Sequence, residues 1–403
     1  MGISRPSHRR MACVFIFAAG LPAGVAAGWN TGLDLTLEGS ASLSGGSRRG
    51  ETVQALLLGY GEWKREASDG WQLDVEAYGS VLAHAGHGPT ERFLGDFLGA
   101  SNMEAHSSLR LYSWWLEVSR EGWSLRSGAL LADEEFAGTA AGGNFLNSAF
   151  GWPAFISANA RNTGPAYYVP ALGVRLERTW RDAVVWRLGI YDGDTFDSPE
   201  GDPRVNRHGV RFSAGGEQGW LVLTEVAWAP GDRAVSLKAG IWLHTGEFAD
   251  VRDDDAGRPF ALTGTSPRLH DSNQGAYVAV ERDWEGGWQM FVRGGWAPAD
   301  RNQVAWGFDA GVSKTGPLPG RPTDVVFAGV AHAGFSSRLA DIIHETEPEA
   351  PASDFEQVFE IGYTLALTGR WSLQPDLQYI RHPGGRAGQR DAWVFLLRTT
   401  LRH

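Results

Sequence analysis

The sequence predicts an all-β protein, a transmembrane antiparallel β-barrel of about 16 strands with long extracellular loops and one inward-folded constriction loop. Three observations point there. Apolar and polar residues alternate with period 2 along most of the chain, in runs of roughly ten residues, the length of a tilted membrane crossing. Short turns and long loops alternate, as they do between the two rims of such a barrel. The composition holds 18 Trp and 53 Gly with 43% hydrophobic residues, at a mean hydropathy of -0.25. Lipid-facing and lumen-facing residues that alternate cancel in the mean.

In chain order, the first segment carries Arg5, Arg9 and Arg10, an apolar run from Met11 to Leu21, and small residues at Val25-Ala26-Ala27. This is the pattern of a secretory signal, too short to span a bilayer, with cleavage expected after Ala27. Residues 1–27 are therefore expected as signal peptide and 28–403 as a single barrel domain. The one cysteine, Cys13, lies in that segment. Without the apolar and small residues that precede a lipidated cysteine, it leaves the mature chain without a thiol and excludes disulfide and thiol chemistry. Removing three arginines and no acids takes the net charge from -11 to -14. This excludes a nucleic-acid partner and a polybasic membrane anchor.

The strands follow. Trp71, Leu73, Val75, Ala77 and Val81 oppose Gln72, Asp74, Glu76, Tyr78 and Ser80. Leu172, Val174 and Leu176 oppose Arg175 and Glu177, and Val184, Trp186, Leu188 and Ile190 oppose Arg187, Gly189 and Tyr191. Leu237, Ile241 and Leu243 oppose Lys238, Gly240, Trp242 and His244, while Trp288, Met290, Val292 and Trp296 oppose Phe291 and Arg293. Phe359, Ile361 and Tyr363 oppose Glu360 and Gly362, and Leu373 and Leu377 oppose Gln374, Asp376 and Gln378. A soluble sandwich also alternates, but its strands average about 5–6 residues. Between Leu109 and Arg120 the alternation slips at Trp114-Trp115, leaving open which indole faces the lumen. The last segment, Trp393 to Leu401, reads as a closing strand that ends in His403 where an aromatic residue is usual.

Short turns are expected at Ala67 to Gly70, Glu121-Gly122, Arg181-Asp182, Pro230-Gly231-Asp232, Glu285 to Gly287 and Gly369-Arg370. Long loops are expected at Gly86 to Ala105, Ala132 to Val169, Asp192 to Arg207, Thr245 to Gln274, Ser337 to Asp354 and Pro383 to Arg390. Counting Val210 to Ser213 as a strand gives an odd total; one excursion from Asp192 to Gly219 restores parity. Trp123 to Leu131 and Tyr168 to Trp180 are then the fifth and sixth strands. The loop between them is too long and too aromatic to be a plain turn or a disordered tail.

Several stretches resemble the carbohydrate-selective outer-membrane porins, the OprB-like family. They are Ser101-Asn102-Met103-Glu104-Ala105, Leu109-Arg110-Leu111-Tyr112, Gly143-Asn144-Phe145-Leu146-Asn147-Ser148 and Asn162-Thr163-Gly164-Pro165, followed by Ala171 to Leu176, Gly189 to Asp194, Pro298 to Asn302 and Leu373 to Ile380. They run in the family's order over most of the chain. The resemblance implies a 16-stranded barrel in the outer membrane of a Gram-negative bacterium, passing glucose and similar sugars by passive diffusion through a constriction of inward-folded loops. Its partners would be a mono- or oligosaccharide solute and outer-membrane lipid; it needs no cofactor or metal, and homo-oligomerisation is left open.

A neutral sugar offers hydroxyls on its rim and C–H faces on its flats, so fast selective passage needs polar groups and aromatic surfaces that each bind weakly. Candidate constriction residues are Asn144, Phe145, Asn147, Trp152, Phe155, Asn159, Arg161 and Asn162. The competing reading makes those aromatics the loop's own core and the asparagines its turn caps. Lumen charges Arg126, Arg175, Glu177, Arg187, Arg293, Glu360, Asp376 and Arg398 form either opposed rows across the eyelet or a salt-bridge network that stiffens the wall. Asp253-Asp254-Asp255 and Asp192-Gly193-Asp194 with Asp197 are acidic enough for calcium, although such loop acids are usually solvated. The alternatives are a general small-solute porin and an outer-membrane hydrolase. For the hydrolase the neighbours His106, Ser107 and Ser108 would be needed, but no Gly-x-Ser-x-Gly elbow or His-Glu-x-x-His pattern is present.

Overall fold

The computed structural model describes residues 28–403 except 68, 182, 199, 230–234, 347–348, 350–352 and 387. The expected signal segment with Cys13, and the Pro230-Gly231-Asp232 turn, lie outside the described residues. Sixteen antiparallel strands close into a barrel. They are β1 (Trp29–Ser44), β2 (Glu51–Glu66), β3 (Gln72–His84), β4 (Ser108–Arg120), β5 (Trp123–Leu130), β6 (Ala171–Trp180), β7 (Val184–Asp192) and β8 (Trp220–Trp228). The second half comprises β9 (Val235–His244), β10 (Asn273–Trp284), β11 (Trp288–Trp296), β12 (Val304–Thr315), β13 (Val325–Phe335), β14 (Phe355–Ala366), β15 (Trp371–Arg381) and β16 (Ala392–Arg402). Each strand pairs with its sequence neighbours, and β1 pairs with β16 in the register Glu38 to Arg398. His403 extends that seam, its N–H donating to the Leu33 carbonyl at 3.0 Å.

The faces sort as the period-2 pattern requires. Leu237, Ile241 and Leu243 are exposed to the lipid side while Trp242 and His244, at the alternate positions, are buried inside. Tryptophans mark both edges of the apolar band: Trp29, Trp71, Trp123, Trp180, Trp228, Trp284, Trp288 and Trp371 lie at the short-turn end, and Trp220, Trp296, Trp306 and Trp393 at the long-loop end. Amphipathic rings favour these interfaces.

The stretch from Gly193 to Gly219 is one excursion without a strand, which gives the even strand number. Two connections differ from expectation. The short-turn side includes a longer link over 316–324, closed by buried Asp324, which accepts from Tyr363 Oη at 2.9 Å and the Ala366 amide at 3.0 Å. The sixth strand starts at Ala171, not Tyr168, because Ala166 to Val169 forms a closed turn and Pro170 has no N–H for the ladder.

The slip at Trp114-Trp115 is a bulge. Tyr78 pairs with Ser113 but Gly79 with Leu111, so Tyr112 is the extra residue. Trp115 thereby faces inward, buried beneath Arg126, while Trp114 packs edge-on against Phe212 of the excursion. Because β5 pairs with β4 only from Trp114 to Arg120, the upper edge of β4 would be bare. The excursion covers it, its His208 carbonyl accepting from the Leu111 amide at 3.0 Å.

Candidate functional site

The loop over 131–170 leaves the wall at the end of β5 and crosses the barrel interior in short helical turns, Ala132–Glu134, Ala141–Asn144, Ser148–Gly151, Ala154–Ser157 and Arg161–Thr163. Each turn leaves backbone groups unpaired, and inside a barrel these need protein partners. The wall supplies them. Glu225 of β8 accepts from the Ala137 amide at 2.8 Å, Glu281 of β10 from Ala140 at 2.6 Å, and Glu360 of β14 from Leu146 and Asn147 at 2.6 and 3.1 Å. Arg293 of β11 is fully buried. It pairs with Asp309 at 3.0 Å and donates to the carbonyls of Ala137, Ala149, Phe150 and Gly151.

Apolar seating completes the anchor. Phe145 packs on Phe150, Phe291 and Phe327 and lies over two wall glycines. A β-carbon at Gly311 would stand 2.7 Å from the Phe145 ring and one at Gly329 2.6 Å, so only glycine lets the loop approach this closely. Phe155 occupies the same kind of seat on Gly295. A second loop, over 85–107, folds in beside the first: Glu356 accepts from Phe97 and Leu98, and the Asn102 amide donates to the Leu146 carbonyl at 2.6 Å.

The eight loop residues singled out from the sequence sit in this anchoring layer. Phe145, Asn147, Trp152, Phe155 and Asn159 are buried. Asn147 caps the helix at Ser148 and donates to Gln378, and Asn159 donates to the Phe155 and Val304 carbonyls. Trp152 Nε1 donates to Thr163 at 2.9 Å. Asn144 is half-buried, donating to Ala141 and accepting from Gln374. Arg161 donates to the Glu217 and Glu247 carbonyls, and Asn162 reaches Asp194 and Ser198 in the next excursion.

The lumen charges pair along the wall and with Glu135 of the inward loop. Arg126 and Arg175 share Glu117 and Glu135 at 2.6 to 2.9 Å, and Arg187 holds Glu177 at 2.6 Å. Arg398 pairs with Glu38 across the β1–β16 seam. Asp376 is buried, accepting from Gln378 at 3.2 Å. The loop acids are similarly engaged: Asp254 by Arg258 and Thr265, Asp253 by Arg252 and Arg338, and Asp197 by Ser213 and Gln218. Among the described residues no group of acids and histidines is arranged to hold a metal ion. His106 stacks edge-on against Tyr168, makes no hydrogen bond to Ser107 or Ser108 among the described residues, and is pushed down to about 4 by burial.

Because the loop lies against β8 and β10–β15, the open space is on the other side. There a cavity of about 280 Å³ is lined by Leu56, Leu58, Tyr78, Ser80 and Leu82 of β2 and β3, Arg110 and Tyr112 of β4, and Glu134, Tyr167 and Tyr168 of the loop. Tyr112 meets Tyr167 edge-on at 6.0 Å, and Tyr167 meets Tyr168 at 5.8 Å. Glu134 opens onto channel water but is ringed by protein, and this enclosure pushes its carboxyl up to about 7. Asp133 beside it accepts from the Tyr167 amide and is raised by burial to about 6. The sequence reasoning did not single out these cavity residues as a group, although the Asp133-Glu134-Glu135 run and the Tyr167-Tyr168 pair at the two loop ends were available signals.

Comparison with known proteins agrees with this geometry. Porin B of Pseudomonas aeruginosa is 27% identical over 200 residues, 44% of this chain and 44% of that protein, so the match spans less than half of that relative. The high-pH structure of Pseudomonas putida OprB superposes with a TM-score of 0.82 over 93% of this chain and 94% of that one, at 19% identity. The outer-membrane channel DcaP of Acinetobacter baumannii gives 0.58 at 11% identity over 96% of this chain and all of that one. A triple mutant of the Rhodopseudomonas blastica porin gives 0.52 at 10% identity, covering 93% and 100%. These likenesses show the fold, and its family and structural neighbours are channels, not enzymes. A family model described as carbohydrate-selective porin, OprB family, matches residues 66–402, and the chain belongs to that family.

Proposed function

We propose that the protein is a passive, sugar-selective diffusion channel for glucose and similar carbohydrates in the outer membrane. The observation that carries this reading is the tyrosine-lined cavity between the inward loop and the β2–β4 wall. Flat aromatic faces suit the C–H faces of a pyranose, while Ser80, Ser108 and Glu134 offer hydroxyl and carboxylate partners for its rim. No single contact is strong, as conduction requires. Asn144, Phe145, Asn147, Trp152, Phe155, Asn159, Arg161 and Asn162 set the width of the passage by holding the loop, and the solute meets the tyrosines. Residues 1–27 act as a cleaved export signal, the tryptophan belts contact outer-membrane lipid, and association into homo-oligomers is compatible with the exposed barrel face.

The test is conductance of the purified protein in planar bilayers. Millimolar glucose is expected to block the ion current, and Tyr168→Ala to weaken that block several-fold while current persists. A current that no sugar blocks leaves a general porin and removes the selectivity claim.

A further inference from the structure

Arg110 departs from the pattern of the other inward arginines. Arg126, Arg175, Arg187, Arg293 and Arg398 each hold a carboxylate. Arg110 is 4% exposed and, among the described residues, makes no ion pair. Its Nη2 donates to the Asn206 carbonyl at 3.2 Å, and Nε and Nη1 have no hydrogen-bond partner. The guanidinium lies 5.6 Å from the centre of the Tyr168 ring, at the wall of the tyrosine-lined cavity. Tyr112, Tyr167 and Tyr168 also lie within its electrostatic reach, as does His106. Arg204 and Arg207 add to the positive field around His106, which meets Tyr168 edge-on, and Asp202 opposes it.

A guanidinium stays charged at any pH a protein survives, and burying it without a counter-ion is costly. An unpaired charged donor is among the strongest partners a protein offers a carboxylate oxygen. We infer that the cavity accepts sugars bearing a carboxylate, of the uronic or aldonic acid class, with that carboxylate on Arg110 and the ring against Tyr112, Tyr167 and Tyr168. Glu134 lines the same cavity but is not ion-paired with Arg110, so it remains a partner for the sugar hydroxyls.

This inference rests on the reading that carbohydrate passes through the cavity, and the experiment separates the two. In planar bilayers the wild-type channel is titrated with glucose, glucuronate, the neutral methyl ester of glucuronate, and acetate. Glucuronate is expected to half-block the current at a concentration roughly tenfold below its methyl ester, the scale of one charge-assisted hydrogen-bonded pair. Acetate, with the charge but no ring, is expected to block poorly. Arg110→Gln should bring the ratio of ester to acid half-blocking concentrations to one. Glucose block alone tests the sugar-channel reading; the ester-to-acid ratio tests the role of Arg110. A wild-type ratio near one overturns the inference whether or not the variant folds, as does acetate blocking as well as glucuronate. A ratio that survives Arg110→Gln moves the carboxylate site away from Arg110 and overturns it too.

Discussion

On the wall made by β8 and β10–β15, charged side chains end on the backbone of the inward loop; on the wall made by β4–β7 the arginines end mainly on carboxylates, those of the wall itself and that of Glu135 at the start of the loop. Glu225, Glu281 and Glu360 each accept loop amides, and Arg293 gathers four loop carbonyls. Opposite them Arg126, Arg175 and Arg187 close a lattice with Glu117 and Glu177 of the wall and Glu135 of the loop. The difference follows from what faces each wall. A loop crossing a lumen carries unpaired N–H and C=O groups, and wall charges are the strongest fixed partners for them. Where the loop presents the Glu135 carboxylate instead of a run of backbone groups, the wall arginines gather carboxylates into one lateral network. The same residue types therefore position the constriction on one side and bound the open path on the other.

The largest expected effect tests the anchoring side. Arg293→Ala leaves Asp309 buried without its partner and four carbonyls without a donor, a loss of about 3–5 kcal/mol. Loop release should raise single-channel conductance and abolish sugar block. Arg126→Ala on the other wall leaves Arg175 bridging Glu117 and Glu135. Its cost should be near the partly exposed ion-pair scale of about 1 kcal/mol or less, with conductance close to wild type. Paired conductance histograms, with the temperature at which each barrel unfolds in detergent, check both; equal shifts in the two variants would break the distinction between the walls.

A second, smaller effect sharpens it. If polar clamps and aromatic seating share the anchoring, Phe145→Ala together with Trp152→Ala should widen the pore and weaken glucose block. The Phe145 ring fills the seat on Gly311 and Gly329, and emptying such a site costs about 3–5 kcal/mol per large aromatic. Unchanged conductance and affinity would assign the loop position to the charged clamps alone.

Much of this architecture was legible in the sequence because period-2 patterning is a one-dimensional record of which side of a wall each residue faces. The faces of β9, with Ile241 out and Trp242 in, follow directly from it, and the single excursion ahead of β8 follows from the even strand number. The pattern fails at Tyr112, where a bulge adds a residue, and at Tyr168, where Pro170 delays the strand. The site was legible only as a loop. Periodicity says that Arg293 and Glu360 face inward, but not that the loop lies on them. It therefore cannot separate a residue that holds the loop, such as Phe145, from one that the loop leaves open, such as Tyr112. That distinction depends on which wall the loop leans against, a contact between residues more than a hundred positions apart.

The smallest expected effect lies on the open side and is electrostatic. Enclosure pushes the Glu134 carboxyl up to about 7, with Asp133, Glu135 and Glu76 adding to the shift and Arg126 opposing it. The sign follows from the direction of the shift. Its ordinary value is 4.5, so between 4.5 and about 7 the folded protein holds a proton that the unfolded chain has lost. Folding is therefore favoured at the acid end of that window and loses this contribution as pH rises through 7. The channel gains a negative charge beside its tyrosines over the same range. Cation preference, measured as reversal potential in a salt gradient, should rise between pH 6 and pH 8, and Glu134→Gln should flatten that rise. The measurement belongs at about 0.1 M salt, where charges are felt over roughly 10 Å, because screening at higher salt would hide a single carboxylate. A rise that persists in Glu134→Gln would place the titrating group elsewhere in the lumen. Asp133, raised to about 6 and tied to the Tyr167 amide, would then be the next residue to replace.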